Sequence, residues 1–242
     1  VIIVKDYKEL SLRAAALLKE AIKDKKRFAL GLPSGETPLG TYKELVKLFK
    51  KGSLNFSSVV TFNLDEYKGL PKNSPNSFKR SMWDNLFGRI NISKKKVHFP
   101  VGRGYDSEIK RIGGLDLILL GIGQNGHIAF NEPGSPFSSK TRTVTLSPKT
   151  RSDNSRFFEH RKDVPRSAVT VGIRTIMGSK ALLLLASGKA KASAVKAALE
   201  GPVTSKVPAS VIQKHKNATV LIDREAASKL KKEQGVKNGK GT

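Results

Sequence analysis

At 242 residues the chain can bury a sizeable core and fits one large domain. Cysteine is absent, which excludes disulfides and thiolate metal sites. No apolar run reaches the roughly 18 residues of a membrane helix, and Val1–Val4 is a strand-length run rather than a signal sequence, so a soluble cytoplasmic protein is expected. Lysine and arginine number 45 against 20 acidic residues, a net charge of +25 with a pI near 10.3. These bases are spread along nearly every segment, with no compact basic arm, finger spacing or aromatic stacking motif. That pattern argues against a dedicated nucleic-acid function and for a basic surface that attracts anionic metabolites.

In chain order, Val1–Val4 reads as a strand, and Asp6-Tyr7-Lys8-Glu9 as a capping box that opens a helix. Leu10, Ala14, Leu17, Leu18, Ala21 and Ile22 line one side of that helix. Phe28–Leu32 is a second strand, followed by the small polar loop 33–38 and a helix through Tyr42, Leu45, Val46 and Phe49. The same order recurs at Val59–Asn63, with the loop 64–71 and a helix across Phe78, Met82, Trp83 and Leu86. It recurs again at Leu115–Leu120, which leads into the Gly-rich stretch 121–133. Ala168–Ile173 and Ala181–Ala186 read as further strands. Ser187-Gly188-Lys189 then leads into an Ala-rich helix, and Val220–Ile222 is the last strand before a short helix. Near-continuous apolar strands alternating with amphipathic helices predict an α/β fold: a mostly parallel sheet with helices on both faces, a Rossmann-like open sandwich. Residues 1–230 are expected to form the single domain and 231–242 a basic flexible tail.

Ligands of such sheets bind beyond the carboxyl ends of the strands, which selects four loops. Gly121-x-Gly123-x-x-Gly126 has the spacing of a dinucleotide fingerprint, but Pro133, Gly134 and Pro136 stop any long helix. No acidic residue stands near position 146, so the loop serves to present His127 instead. Glu132 in the same loop is placed to orient the ring. Ser34, Gly35 and Thr37 offer hydroxyls and backbone N–H groups at a helix start, suited to a phosphate or simply to capping. Asp65 and Glu66 follow a strand, so one carboxylate points into the crevice and the other away; they read as a general base or as a surface turn. Lys189 at a helix start and Arg156 are the candidate phosphate partners, Lys189 being otherwise an ordinary solvated lysine. His98, His127, His160 and His215 lack metal-ligand spacing.

Five strings in one order carry a resemblance to a known family: residues 31–38 (GLPSGETP), 62–70 (FNLDEYKGL), 121–133, 154–158 (NSRFF) and 187–190 (SGKA). Over about residues 5–230 the chain resembles the glucosamine-6-phosphate deaminase (isomerase) family. The resemblance implies conversion of glucosamine 6-phosphate and water into fructose 6-phosphate and ammonia, with no cofactor and no metal. It implies Asp65 as the base moving a proton between C2 and C1. His127, oriented by Glu132, would serve ring opening, and Asn125 stands beside it where some relatives carry Asp. Ser34, Gly35, Glu36 (through its backbone), Thr37, Arg156 and Lys189 would hold the phosphate. Some relatives are hexamers with an allosteric site for N-acetylglucosamine 6-phosphate. Arg142 matches one basic position of that site, but Val144 stands where a lysine is expected, so a monomer or low homo-oligomer is implied. The segment between Gly102 and Leu115 is shorter than in the family, which predicts a reduced covering helix. The alternative is a sugar-phosphate lactonase of the 6-phosphogluconolactonase type.

Overall fold

The computed structural model describes residues 1–71, 73–100 and 104–231. In chain order the elements are β1 (Ile2–Val4), α1 (Tyr7–Ile22), β2 (Phe28–Leu32), α2 (Leu39–Lys50), β3 (Val59–Asn63), β4 (Asp65–Lys68) and α3 (Phe78–Asn85). There follow β5 (Val97–His98), α4 (Tyr105–Arg111), β6 (Leu117–Gly121), β7 (Arg142–Thr145) and α5 (Pro148–Asn154). The last are β8 (Ser167–Thr170), α6 (Ile173–Met177), β9 (Leu182–Ala186), α7 (Ala192–Glu200) and β10 (Ala218–Asp223). Seven strands form a parallel sheet in the order β1-β10-β9-β6-β2-β3-β5. The strands read as continuous apolar runs because both faces are covered. Ile118, Leu120, Leu182 and Leu184 pack toward α4, α6 and α7, whereas Leu117, Leu119, Leu183 and Leu185 pack toward α1, α2 and α3.

Crossovers lead from β2 to β3 on one side and from β6 to β9 on the other, so the order reverses between β2 and β6. A ligand crevice forms at such a reversal. The two strands approach closely there because Gly31 lies opposite Ile118: a Cβ at Gly31 would stand 2.8 Å from Ile118 Cγ1. At the other end of the chain, Asp6 caps α1 by accepting from Glu9 N at 2.9 Å. The reciprocal half of the expected capping box is displaced by one residue, Lys5 N donating to Glu9 Oε2 at 2.7 Å.

Three expectations need correction. The segment 65–68 is not a loop but strand β4, paired antiparallel with β8 in a second sheet of order β4-β8-β7. The proposed strand Ala168–Ile173 divides, since β8 ends at Thr170 and Ile173 opens α6. After β10 the chain makes turns rather than a short helix, with Asp223 accepting from Ala226 N at 2.8 Å. The covering element expected to be reduced is present as α4, seven residues long, whose Tyr105 and Ile109 are buried against the sheet. Residues 101–103 of that segment, and all of the 231–242 tail except Lys231, lie outside the described residues. Among the described residues no helix is long and apolar enough to cross a membrane.

Candidate active site

One cavity of about 230 Å³ opens at the β2/β6 reversal. The loop after β2 forms one wall with Ser34, Gly35, Glu36 and Thr37. Gly35 takes φ 130°, a backbone conformation only glycine adopts without strain, and it brings the chain round to the start of α2. α2 has no side-chain cap of its own. The hydroxyl of Tyr7, from the first turn of α1, stands in for one: it accepts from Gly40 N at 2.8 Å and donates to Glu36 O at 3.1 Å. Ser34 Oγ is buried without a hydrogen-bond partner among the described residues. Buried hydroxyls normally find a partner, and this one faces the cavity wall where an anion would supply it.

Asp65 sits where the chain leaves the parallel sheet for the antiparallel one, opposite Thr170 of β8. It lines the cavity and is only 5% exposed. Its Oδ1 receives no hydrogen bond from the described residues. Burial first, and then the nearby charge of Glu66, raise its carboxyl to about pKa 8. Glu66 points the other way, as strand alternation demands. Its Oε1 accepts from Tyr67 N and Phe78 N at 2.8 and 3.0 Å, and its Oε2 accepts from Lys79 N at 2.7 Å. Glu66 therefore holds the start of α3, and with it Phe78, against the strand that carries Asp65. Of the two carboxylates, one is free for chemistry and the other is structural.

The loop after β6 folds back on itself. Gly126 and Ala129 take positive φ values of 83° and 50°, Gly123 N donates to His127 O at 2.9 Å, and Gly126 N donates to Gly123 O at 3.0 Å. Position 123 admits no side chain, because a Cβ there would lie 2.2 Å from the His127 ring. The expected pairing of Glu132 with His127 is indirect: Glu132 Oε2 stands 3.9 Å from His127 Nδ1, and Asn125 lies between them. Asn125 Oδ1 is 2.7 Å from His127 Nδ1, and Asn125 Nδ2 donates to Glu132 Oε2 at 2.8 Å. Because a carboxylate only accepts, Glu132 fixes the amide orientation, and the amide fixes the proton on Nδ1. With the proton on Nδ1, the lone pair of the ring stands on Nε2. Two other histidines have structural partners: His98 pairs with Glu108 at 2.8 Å and stacks on Phe62, and His215 Nε2 lies 3.0 Å from Ser179 O.

Helix α5 and the turn after it form the remaining wall, with Thr150, Asn154 and Arg156. Asn154 donates to Tyr67 Oη at 2.9 Å, which docks the segment on the cluster of Tyr67, Phe78, Phe130 and Phe158. Arg156 lines the cavity, and its Nη2 pairs with Glu36 Oε2 at 2.7 Å. Lys189 departs from expectation. It is exposed and absent from the cavity lining, and its backbone N donates to Glu225 Oε2 at 3.3 Å. Lys191, at the other end of the same 3₁₀ turn, lines the cavity instead. Nothing in the sequence separates two lysines two positions apart; the point at which β9 ends and the turn at Gly188, φ 89°, decide which one faces inward. Thr150 and Tyr7 also escaped sequence reasoning, since their partners lie 18 and 29 or more positions away.

Among known proteins, the sequence profile of the glucosamine-6-phosphate isomerases/6-phosphogluconolactonase family matches residues 6–221. The glucosamine-6-phosphate deaminase of Thermoanaerobacter sp. (strain X514) is 48% identical over 237 residues, 94% of each chain. That of Shouchella clausii (strain KSM-K16) is 49% identical over 237 residues, 94% of this chain and 96% of its own. A solved monomeric glucosamine-6-phosphate deaminase is 44% identical with a TM-score of 0.91, covering 94% of this chain and 98% of its own. A 6-phosphogluconolactonase from Trypanosoma cruzi shares the fold, with a TM-score of 0.74 at 20% identity over 96% of each chain.

Proposed function

Because this chain belongs to the glucosamine-6-phosphate isomerase and 6-phosphogluconolactonase family, we propose that it is a glucosamine-6-phosphate deaminase, converting glucosamine 6-phosphate and water into fructose 6-phosphate and ammonia. The observation that carries this reading is that one cavity is lined by Asp65, by His127 and by the wall of Ser34, Gly35, Thr37, Arg156 and Lys191. The phosphate lies on that wall, held by backbone N–H groups at the α2 N-terminus and by the two cations. Anchoring the remote phosphate supplies binding energy that fixes C1 and C2 against the base.

His127 Nε2 takes the anomeric hydroxyl proton and passes it to the ring oxygen, giving the open-chain aldehyde. Asn125 and Glu132 keep its other nitrogen protonated throughout. Ionised Asp65 removes the proton from C2 as one proton of the substrate's ammonium group passes to the aldehyde oxygen, forming an enolamine, and returns the C2 proton to C1 to give the protonated C2 imine of the ketose. Water then adds at C2 and ammonia leaves, so the amino sugar and one water become the keto sugar and ammonia. A buried carboxylate that receives no hydrogen bond on Oδ1 suits proton transfer at carbon, because its raised pKa makes it a stronger base once ionised. This feature favours the deaminase over the lactonase, whose hydrolysis requires no proton transfer at C2.

The positive surface raises the local concentration of the anionic substrate, and no nucleic-acid partner is part of this reading. Likeness to a monomeric deaminase supports action as a monomer or low homo-oligomer, and the lack of cysteine suits the cytoplasm. A coupled assay of both products tests the reaction, with 6-phosphogluconolactone as the control substrate. Equal amounts of fructose 6-phosphate and ammonia are expected. Lactone hydrolysis without ammonia release, by correctly folded protein, would overturn the proposal.

A further inference from the structure

Helix α5 contributes one hydroxyl that these steps leave unused. Thr150 is 4% exposed and lines the cavity, and its Oγ1 donates to Oε1 of Glu132. Ser147, the N-cap of α5, accepts from Thr150 N at 3.0 Å and donates to Thr150 Oγ1, also at 3.0 Å. With its acceptor capacity engaged by Ser147, the Thr150 hydroxyl directs its proton to Glu132. We propose that Thr150 is the positioning residue that sets the polarity of the His127 relay, and that it ties the acid–base end of the site to the phosphate end through α5. The inference rests on the deaminase reading for its kinetic consequences but not for its structural ones.

Glu132 has no hydrogen to give, so each of its oxygens must meet a donor: Thr150 for Oε1, with Ser147 Oγ a longer 3.5 Å from the same oxygen, and Asn125 Nδ2 for Oε2 at 2.8 Å. Oriented this way, Asn125 can offer His127 only its carbonyl oxygen, 2.7 Å from Nδ1. Without the Thr150 hydroxyl, Glu132 Oε1 keeps only the longer contact with Ser147 Oγ, at 3.5 Å, and the carboxylate can rotate away from Asn125. The Asn125 amide, then held at Oδ1 only by the 3.3 Å bond from His127 N, can flip and present its NH₂ group to Nδ1, moving the ring proton to Nε2. A protonated Nε2 on a neutral ring cannot accept a proton from the sugar. Thr150 and Asn154 lie four residues apart on one face of α5, both lining the cavity, and the chain leads directly to Arg156. A phosphate held by Arg156 therefore steadies the same helix that holds Glu132, so substrate recognition at one end sharpens the base at the other.

The test uses the full chain with Thr150→Val, which keeps the shape and removes the donor, and Thr150→Ser, which keeps the donor. Ammonia release is followed across pH, inorganic phosphate is used as a competitive ligand, and ¹⁵N NMR of the histidine rings is assigned with a His127→Gln variant. The wild type is expected to show His127 protonated at Nδ1. Thr150→Val should show a mixture of tautomers, a kcat lower by about 10- to 100-fold, the usual effect of losing a partner that orients a functional His, and an altered pH profile. Its KM and its phosphate affinity should stay close to wild type, and Thr150→Ser should restore the wild-type behaviour. An unchanged tautomer and unchanged kcat in Thr150→Val would overturn the proposal. So would a joint loss of phosphate binding and turnover that Thr150→Ser fails to restore, which would mark Thr150 as structural only. If the wild type releases no ammonia, the deaminase reading fails, while the NMR comparison still decides the role of Thr150.

Discussion

Replacing Asp65 with Asn removes the titrating group while keeping its size, and it has two measurable consequences. The first is catalytic. Asn cannot accept the C2 proton, so kcat should fall by at least about 10²- to 10⁴-fold, the usual contribution of a positioned base, while competitive inhibition by inorganic phosphate persists. In the wild type, kcat/KM should rise with pH to a plateau above about 8, because only ionised Asp65 works and burial holds its proton until then. The second consequence is thermodynamic. The folded-state pKa is raised from 3.8 to about 8, so the folded chain keeps a proton that the unfolded chain has lost. Stability from this group is therefore complete below 3.8, declines as pH rises, and levels off above about 8. At about 1.4 kcal/mol per pH unit, holding the carboxylate ionised above that limb costs the wild type on the order of 5 kcal/mol. Asp65→Asn escapes that cost, so its thermal midpoint relative to wild type should climb between acid and alkaline pH. Calorimetry over that range, with the coupled assay on the same samples, reads both effects. Turnover within about tenfold of wild type on the same pH limb would remove Asp65 as the base. A stability difference that is constant with pH would show that burial does not perturb it.

Other substitutions separate the supporting roles. Lys191→Ala should raise KM for glucosamine 6-phosphate by more than about tenfold through the loss of a charged phosphate contact, whereas Lys189→Ala, at an exposed position, should leave KM within twofold; steady-state kinetics of the pair decides between the two lysines. Glu66→Gln removes the charge beside Asp65 and one of the two oxygens that accept from Phe78 N and Lys79 N. It should lower stability by about 1 kcal/mol, as loss of a helix cap does, and shift the kcat/KM limb to lower pH, read by denaturant titration and a pH–rate profile. Tyr7→Phe deletes the hydroxyl between Glu36 O and Gly40 N. It should cost about 1 kcal/mol of stability and raise KM with kcat unchanged; a fall in kcat alone would refute a role confined to the phosphate wall.

The parallel sheet could be read from the chain because Phe28–Leu32, Leu117–Gly121 and Leu182–Ala186 are apolar on both faces, and only a doubly covered sheet calls for that. The antiparallel sheet could not. Asp65-Glu66-Tyr67-Lys68 carries charges that disfavour a strand, and pairing with Ser167–Thr170, about a hundred positions away, overrides that local preference. α5 did carry a local signal, Ser147 followed by Pro148 at the first helical position, but at seven residues it has no amphipathic period to support the signal. For the candidate site, strand-end position was enough to point to Asp65, His127 and the 34–37 loop, because the geometry of an α/β sheet sends those loops to one edge, whereas Arg156, which follows α5, was marked by its guanidinium alone. Which of two neighbouring lysines turns inward, and which atom of Asn125 faces His127, depend on contacts with segments that only the folded chain brings together.

The placement of Asn125 changes how the relay works. With a carboxylate directly against the imidazole, charge alone would hold the ring proton on the near nitrogen. Here a neutral amide touches the ring, and the charge of Glu132 stands one link further out, 3.9 Å from Nδ1. At that distance two unit charges still interact by about 4 kcal/mol at an effective dielectric constant of 20, so an imidazolium formed in the proposed ring opening would remain stabilised. The direction of the hydrogen bonds, however, no longer follows from charge at the ring and must be imposed by orientation along the chain of donors. A relay built this way depends on whatever holds its carboxylate. In this fold that is the first turn of the helix whose far end leads to Arg156, the arginine proposed to hold the phosphate, so on this proposal the requirement for an ordered α5 is shared by recognition and by proton transfer.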